Sequence, residues 1–500
     1  MKNILEMLER SAERFPDKLI FRDENSDMTY SEFLNTAKSI GTFIARYGII
    51  NKPIAVIAER SVKNLAAMFG VLYSGNFYTV IDSEMPPERV KAIFNTLKPA
   101  AVVVTKACLS VFKKLDFNGK TVNYEIAKDC PADSNLLGKI RENMIDSDPA
   151  YVLFTSGSTG VPKGAVVSHK AVLSYVKWYA DTFKIDESTV FGSQTPFYFS
   201  MSVSDVFSCV FAGGELNIIP KALFSFPMKL IEFLNTRRVN TIYWVPSALC
   251  IIANWRALDY GELKYVEKVL FAGEVMPVKQ LNYWIRKLPY ALFANLFGPT
   301  ETTDICTYYI VDRKFEDGET LPIGRACDNC DVFVVNEYGN EAKIGEEGEL
   351  YARGSFLAMG YYNNPEKTAA AFVQNPLNTA YPETVYKTGD LVKYNEKGEL
   401  IYISRIDFQI KHMGHRIELG EIEVALNAIP FIETSCCLYN EKRGKIVCFY
   451  QSQCDDTAAI VKLLGEKLPK YMWPNIFKRY DKLPMNKNSK IDRVKLKEEI

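Results

Sequence analysis

The 500-residue sequence has no net charge, since 60 lysines and arginines balance 60 aspartates and glutamates. Without an excess of either sign there is no electrostatic footprint for nucleic acid or for an anionic membrane surface, so small molecules are the expected ligands. Long apolar runs are also missing. None reaches the roughly 18 residues that would mark a membrane span, and the N-terminal MKNILEMLERSAERFPDK is amphipathic, interrupted by acids and without a signal-peptide core or cleavage site. The eleven cysteines lack the regular spacing of a disulfide framework, and Cys327-x-x-Cys330 has no second C-x-x-C to complete a zinc site. Reduced, structural thiols in a cytoplasmic protein are expected. Internal repeats and low-complexity tracts are absent.

What the chain does have is length and alternation. It exceeds the usual single-core size of about 250 to 300 residues, so at least two domains are expected. From Pro53 the order is PIAVIAE, a helical run through Leu65, Met68, Phe69 and Leu72, then FYTVI, a helix opening at Pro86-Pro87, and AAVVV. That is βαβαβ order, which predicts a parallel sheet covered by helices. VFGSQT, ELNII, TIYWV, KVLFAG and ALFANLF give a second set of strands, separated by helices such as PMKLIEFLNTRR. Beyond about Pro322 the chain turns strand-rich, with VFVVN, GELYARG, VYKTGD and ELIYISR. The expected fold is α/β: a large N-terminal body (1–404) of parallel-type sheets with a strand-rich subdomain, a hinge at 405–407, and a small mobile α+β unit (408–500).

Between the apolar run 150–154 and a helical pattern from Ser168 lies FTSGSTGVPKG (154–164). Three glycines at 157, 160 and 164 free the backbone to present N–H groups, and Thr155, Ser156, Ser158 and Thr159 supply hydroxyls. Lys163 adds a charge, so the loop reads as a polyphosphate cradle between strand and helix. It does not fit G-x-x-x-x-G-K-[ST], because Pro162 falls where the second glycine is required and Lys163 precedes a glycine.

The loop resembles the signature of the adenylate-forming superfamily, which includes peptide-synthetase adenylation domains, acyl-CoA synthetases and luciferases. Further stretches extend the resemblance over nearly the whole chain. MTYSEF (28–33) and YSGNFYTVIDSEMPPERV (73–90) look like its opening, structural motifs. NLFGPTETT (295–303) implies that Asn295 touches the adenine edge, Phe297 stacks on the ring, Gly298 and Thr300 meet the nucleotide, and Glu301 holds Mg²⁺. YKTGD (386–390) implies Asp390 on the ribose hydroxyls, for which a carboxylate suits two adjacent O–H donors. SRIDFQIKHMGHRIELGEIE (404–423) implies Arg405 on ribose or phosphate, Asp407 as hinge, and 414–416 as the loop brought to the site for thioester formation. LPMNKNSKIDR (483–493) implies Lys490 as the catalytic lysine, although Ser489 stands where a glycine usually precedes it. Thr155, Glu301 and Lys490 are the implied catalytic set, and ATP and Mg²⁺ the implied cofactors.

Within the superfamily the chain is most similar to stand-alone amino-acid adenylation domains and D-alanine:D-alanyl carrier protein ligases, through LFAGEVMP (270–277) and 386–423. The implied substrate pocket comprises Phe199, Ser200, Met201, Ser204, Leu270, Ala272, Leu296, Asp304 and Ile305. Amino-acid-activating members place an aspartate after the phenylalanine of PFYFSMSVSD (196–205) to pair with the α-ammonium, and here that position is Ser200. Asp304 stands where a pocket-lining residue is usually apolar. Three readings stay open: a substrate without an amine, an amine displaced toward Asp304, or an Asp304 that faces solvent or a protein cation. His169 is expected to pack or gate, since the attacking carboxylate is already ionised at neutral pH.

The resemblance implies an ATP-dependent ligase that adenylates a small amino or related carboxylic acid and loads it on the phosphopantetheine of a separate carrier protein. The alternatives are an acyl-CoA synthetase using free CoA, a luciferase-like oxidative enzyme, and a nucleotide-binding regulatory protein without ligase activity.

Overall fold

The computed structural model describes every residue except 158, 159, 408, 442 and 486–490. The expectations on Ser158, Thr159 and Lys490 therefore fall outside the described residues. The first alternating set forms a seven-stranded sheet whose middle runs Pro149–Thr155, Phe77–Asp82, Pro53–Ala58, Ala101–Val104 and Lys120–Asn123, all parallel. Pro53–Ala58 is buried along its whole length, as a strand covered on both faces must be. The second set forms a nine-stranded sheet, in which Leu292–Phe297, Lys268–Ala272, Thr241–Trp244, Val190–Ser193 and Glu215–Ile218 are neighbours and parallel.

Helices pack between and around these sheets, among them Met201–Ala212 and His169–Phe183, which join one large apolar core. Three indoles, Trp178, Trp244 and Trp284, are almost wholly buried in it. A five-stranded antiparallel sheet follows, built on Glu347–Gly354 and the long strand Thr384–Tyr394, with Leu400–Arg405 at one side. This is the strand-rich region expected beyond Pro322.

One local expectation is overturned. The glycine-rich loop does not lead from strand to helix; it joins Pro149–Thr155 to an antiparallel strand, Lys163–Ser168, and the helix His169–Phe183 begins only after that. Gly164-Ala165-Val166-Val167 is a short run with two β-branched residues, which suits a buried strand, and Ser168 caps the following helix through its hydroxyl.

After Arg405 the hairpin Gln409–His412 and His415–Glu418 leads into the helix Leu419–Asn427. Next come the strands Thr434–Asn440 and Lys445–Gln451, the helix Thr457–Lys467, and the strand Ile476–Tyr480, which pairs parallel to its neighbour. Alternation along these strands divides the side chains between two clusters. Cys437, Cys448 and Tyr450 meet Ile422, Leu426 and Leu464 on one face, whereas Cys436, Val447 and Phe449 meet Leu483 and Leu496 on the other. Both clusters use only residues beyond 409. All eleven cysteines are free thiols, and no metal-binding cluster occurs among the described residues.

The C-terminal segment is fastened to the large sheets by polar contacts. Arg89, in the helix Pro87–Leu97, pairs with Glu421, and both are buried. Burial opposes the charge on each, pushing the Glu421 carboxyl up, with Arg89 pulling it back. Breaking such a pair from one side leaves an uncompensated charge worth about 3 to 5 kcal/mol, whereas apolar replacement of both is often tolerated. Arg89→Leu is therefore expected to lower unfolding stability by about 3 kcal/mol and Arg89→Leu with Glu421→Leu to recover most of it, as read by denaturant unfolding.

Candidate functional site

The carboxyl ends of the parallel strands converge on one cavity, as ligand sites in open α/β sheets do. Thr155 and Ser156 enter it from the strand Pro149–Thr155, Ala272 from Lys268–Ala272, and Gly298, Thr300, Asp304 and Ile305 from the segment after Leu292–Phe297. Phe199, Ser200 and Met201 form a further wall, and Asp390 and Arg405 close it from the five-stranded sheet. Gly298 cannot be another residue there, because a Cβ would lie 2.5 Å from both the Asp304 carbonyl oxygen and the Ile305 Cα.

Glu301 is the electrostatic centre of this region. Its side chain has no exposed surface, and three groups meet it: the Arg416 guanidinium at 2.7 Å, the Tyr361 hydroxyl at 2.5 Å and the Lys163 ammonium at 3.7 Å. Burial alone would raise its pKa, but Arg416 and Lys163 outweigh burial and hold the carboxyl down at about 2. Lys163, itself buried and beside Arg416, is lowered to about 8 and so remains mostly protonated at neutral pH.

The glycine-rich loop is engaged by the C-terminal segment. Ser156 donates to the Arg416 carbonyl oxygen at 2.8 Å and accepts from the Glu418 N–H at 3.1 Å. The Gly157 N–H donates to the Glu421 carboxylate at 3.3 Å, so an acid occupies a donor that a phosphate could use. The Thr155 hydroxyl donates to the Lys163 carbonyl oxygen on the neighbouring strand at 3.4 Å.

Residues implied for the nucleotide are held by short-range partners. Asp390, buried, pairs with Arg405 at 3.0 Å. Arg405 in turn grips Asp407 with two parallel bonds, 2.9 and 2.7 Å, and donates to the Thr388 carbonyl oxygen at 2.6 Å. Asn295 is tied to the Pro322 carbonyl oxygen at 2.8 Å, and Phe297 carries the Lys411 ammonium 4.1 Å from its ring centroid. A planar base stacking on that face would displace a cation already drawn to it.

The hairpin turn Met413-Gly414 lies at the mouth. Both residues have positive φ, 51° and 77°, as a two-residue hairpin loop of this hand requires. A Cβ on Gly414 would lie 2.5 Å from Val245, and the Gly414 N–H donates to Glu274 at 2.9 Å. His415 stacks on Tyr471 at 3.4 Å and meets the edge of Phe199 at 4.6 Å, and burial lowers it to about 3, so the ring is neutral. His169 is buried, accepts the Ile4 N–H of the N-terminal segment at 3.4 Å and is not among the residues lining the cavity.

Leu270 and Leu296 are buried within neighbouring strands and are not among the residues lining the cavity. On a strand that ends at the cavity only the last residues reach it, and Ala272 does so where Leu270, two residues earlier, is enclosed. Ser204 stands behind the wall and reaches the site through Asp304, to which it donates at 2.7 Å. Sequence reasoning missed Arg89, Tyr198, Lys411 and Tyr471, which also line the cavity, and Tyr175 and Tyr243, which bond Asp304. Tyr175 and Tyr243 read as core aromatics in a helix and a strand, and nothing in their spacing sets the hydroxyls apart.

Comparison with known proteins agrees with this architecture. A family described as AMP-binding enzyme matches residues 8–362. A D-alanine–D-alanyl carrier protein ligase of Lacticaseibacillus casei is 30% identical over 513 residues, covering 100% of this chain and 99% of the relative. Tyrocidine synthase 1 of Brevibacillus parabrevis is 31% identical over 99% of this chain, which spans only 45% of that protein. The Vibrio cholerae adenylation domain AlmE, solved in complex with glycyl-adenosine-5'-phosphate, superposes with a TM-score of 0.84 at 20% identity, over 99% of this chain and 97% of that one. With the match to 8–362 running through the glycine-rich loop, Glu301 and the strands that carry them, the chain belongs to the AMP-binding, adenylate-forming enzyme family.

Proposed function

We propose that this protein activates a small carboxylic acid with ATP and transfers the acyl group to the phosphopantetheine thiol of a separate carrier protein. The observation that carries this reading is the convergence on one cavity of Phe154, Thr155 and Ser156 at the start of the glycine-rich loop, Asp390 with Arg405, and the C-terminal hairpin 409–418. The Lacticaseibacillus casei relative, a carrier protein ligase matched end to end, supports the carrier thiol over free CoA.

In the first step a substrate carboxylate oxygen bonds to the α-phosphorus, the bond from that phosphorus to the bridging oxygen breaks, and pyrophosphate leaves. In the second the thiol sulfur bonds to the acyl carbon, the acyl–phosphate C–O bond breaks, AMP leaves and the thiol proton passes to solvent. The protein's part is to place two anions in line and offset their charge. Thr155, Ser156 and the Gly157 N–H would hold phosphate oxygens, Thr300 the α-phosphate, Asp390 the ribose hydroxyls and Phe297 the adenine. Lys490 would neutralise charge between carboxylate and α-phosphate.

Mg²⁺ fits the residues present. One buried carboxylate, Glu301, together with substrate phosphates is a donor set this ion commonly takes. When bound it would supply neutralising charge to the phosphates. Arg416 then has to release Glu301, and we propose that the C-terminal segment turns about Asp407 for this purpose, bringing in Lys490 for adenylation and the 414–416 loop for thioester formation. The arrangement seen here, with Arg416 on Glu301, supports assignment to the thioester half.

The deciding experiment incubates the protein with ATP and a panel of acids, measures pyrophosphate, and then adds either carrier protein or CoA. Acid-dependent pyrophosphate followed by loading of the carrier is expected; loading of CoA alone overturns the carrier assignment, and no acid-dependent pyrophosphate overturns the ligase. Lys490→Ala should slow adenylation by about 10² to 10³ while sparing thioester formation from supplied adenylate. Equal damage to both halves would make that lysine structural. Glu301→Gln should slow adenylation by about 10² and, in the nucleotide-free protein, leave Arg416 without its counter-charge. Faster proteolytic cleavage near 405–407 is the second expected consequence; unchanged cleavage would mean that the pair does not hold the C-terminal segment in place.

A further inference from the structure

Asp304 is a carboxylate that the steps above do not use. It lies inside the cavity wall, 2% exposed, and among the described residues no lysine, arginine or histidine forms an ion pair with it. It therefore does not face solvent, and it faces no cation among the described residues. Ser204, Tyr243 and Tyr175 meet its Oδ2 at 2.7, 3.1 and 3.2 Å, and the Ser200 side chain shares the cavity wall with it. Burial pushes the group up to about 6 against the pull of these hydroxyls, so at neutral pH it is largely ionised. Hydroxyl donors stabilise such a charge without cancelling it, and a buried carboxylate lacking a counter-charge is costly.

The backbone is bent to put it there. Thr303, a β-branched residue, has φ 68° and ψ −56°, and the Asp304 N–H closes a three-residue turn on the Thr302 carbonyl oxygen at 2.8 Å. That conformation is strained and persists only where the surroundings enforce it, here through Thr303 Oγ1 on the Phe356 carbonyl oxygen.

Distance limits what the carboxylate can serve. Ser200 Oγ lies 3.4 Å from Thr300 Oγ1, and Thr300, Ser200 and Asp304 line the same cavity, so one serine side chain occupies the short interval between the Thr300 hydroxyl and Asp304. An α-ammonium would find only the neutral Ser200 beside it. A long basic side chain would overrun the span and still leave its α-ammonium unpaired. Met201 and Ile305 flank the interval with apolar surface suited to one or two methylenes.

We infer that the substrate is a short amino acid bearing its amine on the β- or γ-carbon and none on the α-carbon, with its ammonium held by Asp304 and its carboxylate beside Thr300. This rests on the ligase reading above. Asp304 acts as a specificity residue and takes no part in bond making.

The test measures acid-dependent pyrophosphate formation with β-alanine, 3-aminobutyrate and 4-aminobutyrate against α-alanine, propionate and butyrate. A β- or γ-amino acid should exceed its amine-free and α-amino counterparts by about 10² in kcat/KM, the loss expected when one side of a buried ion pair is missing. Asp304→Asn should lose about 10² with the amine-bearing acid and less than about tenfold with neutral ones, and Ser200→Asp should gain α-alanine. In the wild type, kcat/KM for the amine-bearing acid should fall below about pH 6 as Asp304 is protonated, with no such fall for a neutral acid. Of the facing groups, Tyr151, Tyr175, Tyr179, Tyr243 and Cys327 are raised by burial from values already far above that range and stay neutral in it, and burial also raises the Asp205 carboxyl, which a neutral acid would feel equally. Preference for a neutral or α-amino acid overturns the inference and leaves the ligase standing. Absence of turnover with every acid, amine-bearing or not, overturns both.

Discussion

An ionised carboxylate with no exposed surface is costly without a counter-charge, and Glu301 is one that the protein supplies with two cations. In this structure it draws Arg416 out of the C-terminal hairpin and Lys163 out of the loop strand. The position of the whole C-terminal segment follows from this, because Arg416 stands just before the helix Leu419–Asn427, which carries Glu421, the partner of the Gly157 N–H. A guanidinium on Glu301 and a carboxylate at the loop N–H reproduce, within one chain, the two charges that a magnesium–phosphate group would bring. On the function proposed above, nucleotide and C-terminal segment would thus compete for one set of partners. A conformational cycle would arise from that competition without any further device, since each state satisfies the same buried charges with different ions.

The arrangement also explains why the cavity sits at the strand ends. The parallel strands leave Thr155, Ala272 and Phe297 at one edge of two sheets, and each exit there is abrupt. Gly298 allows the chain to pass against 304–306, and the turn at Thr303 then aims Asp304 back into the cavity. Backbone irregularity is concentrated in this short segment, next to a Glu and an Asp whose shared need for a counter-charge is met differently: among the described residues cations pair with Glu301 and none with Asp304.

Much of this is legible in the sequence because the signals are local. Buried parallel strands read as apolar runs between helical periods, and the two alternating sets and the strand-rich region appear where those runs place them. The loop's glycines and hydroxyls mark an anion site, yet the segment after it reads as the approach to a helix, since GAVVS is too short for periodicity to separate a strand from a helix start. Longer-range features leave no trace. Arg89 and Glu421 are 332 residues apart and each looks like an ordinary charge on an amphipathic helix. The hydroxyls of Tyr175 and Tyr243 acquire meaning only once folding brings them to Asp304, and the exclusion of Leu270 from the cavity depends on how far a strand extends before its loop begins.

On the function and substrate proposed above, Asp304 and Glu301 would separate two tasks within one small region. Glu301 is held near a pKa of about 2 by fixed cations, so its charge does not vary over any working pH and suits a structural exchange between Arg416 and a metal. Burial raises Asp304 to about 6 and the hydroxyls around it only partly offset this, so a cation entering the cavity would favour its ionised form. Swapping their environments would defeat both: an Asp304 beside arginine would not recognise an ammonium, and a Glu301 among hydroxyls would not hold the C-terminal segment. Close neighbours in the chain, the two carboxylates owe their different roles to the side of the turn at Thr303 on which each one lies.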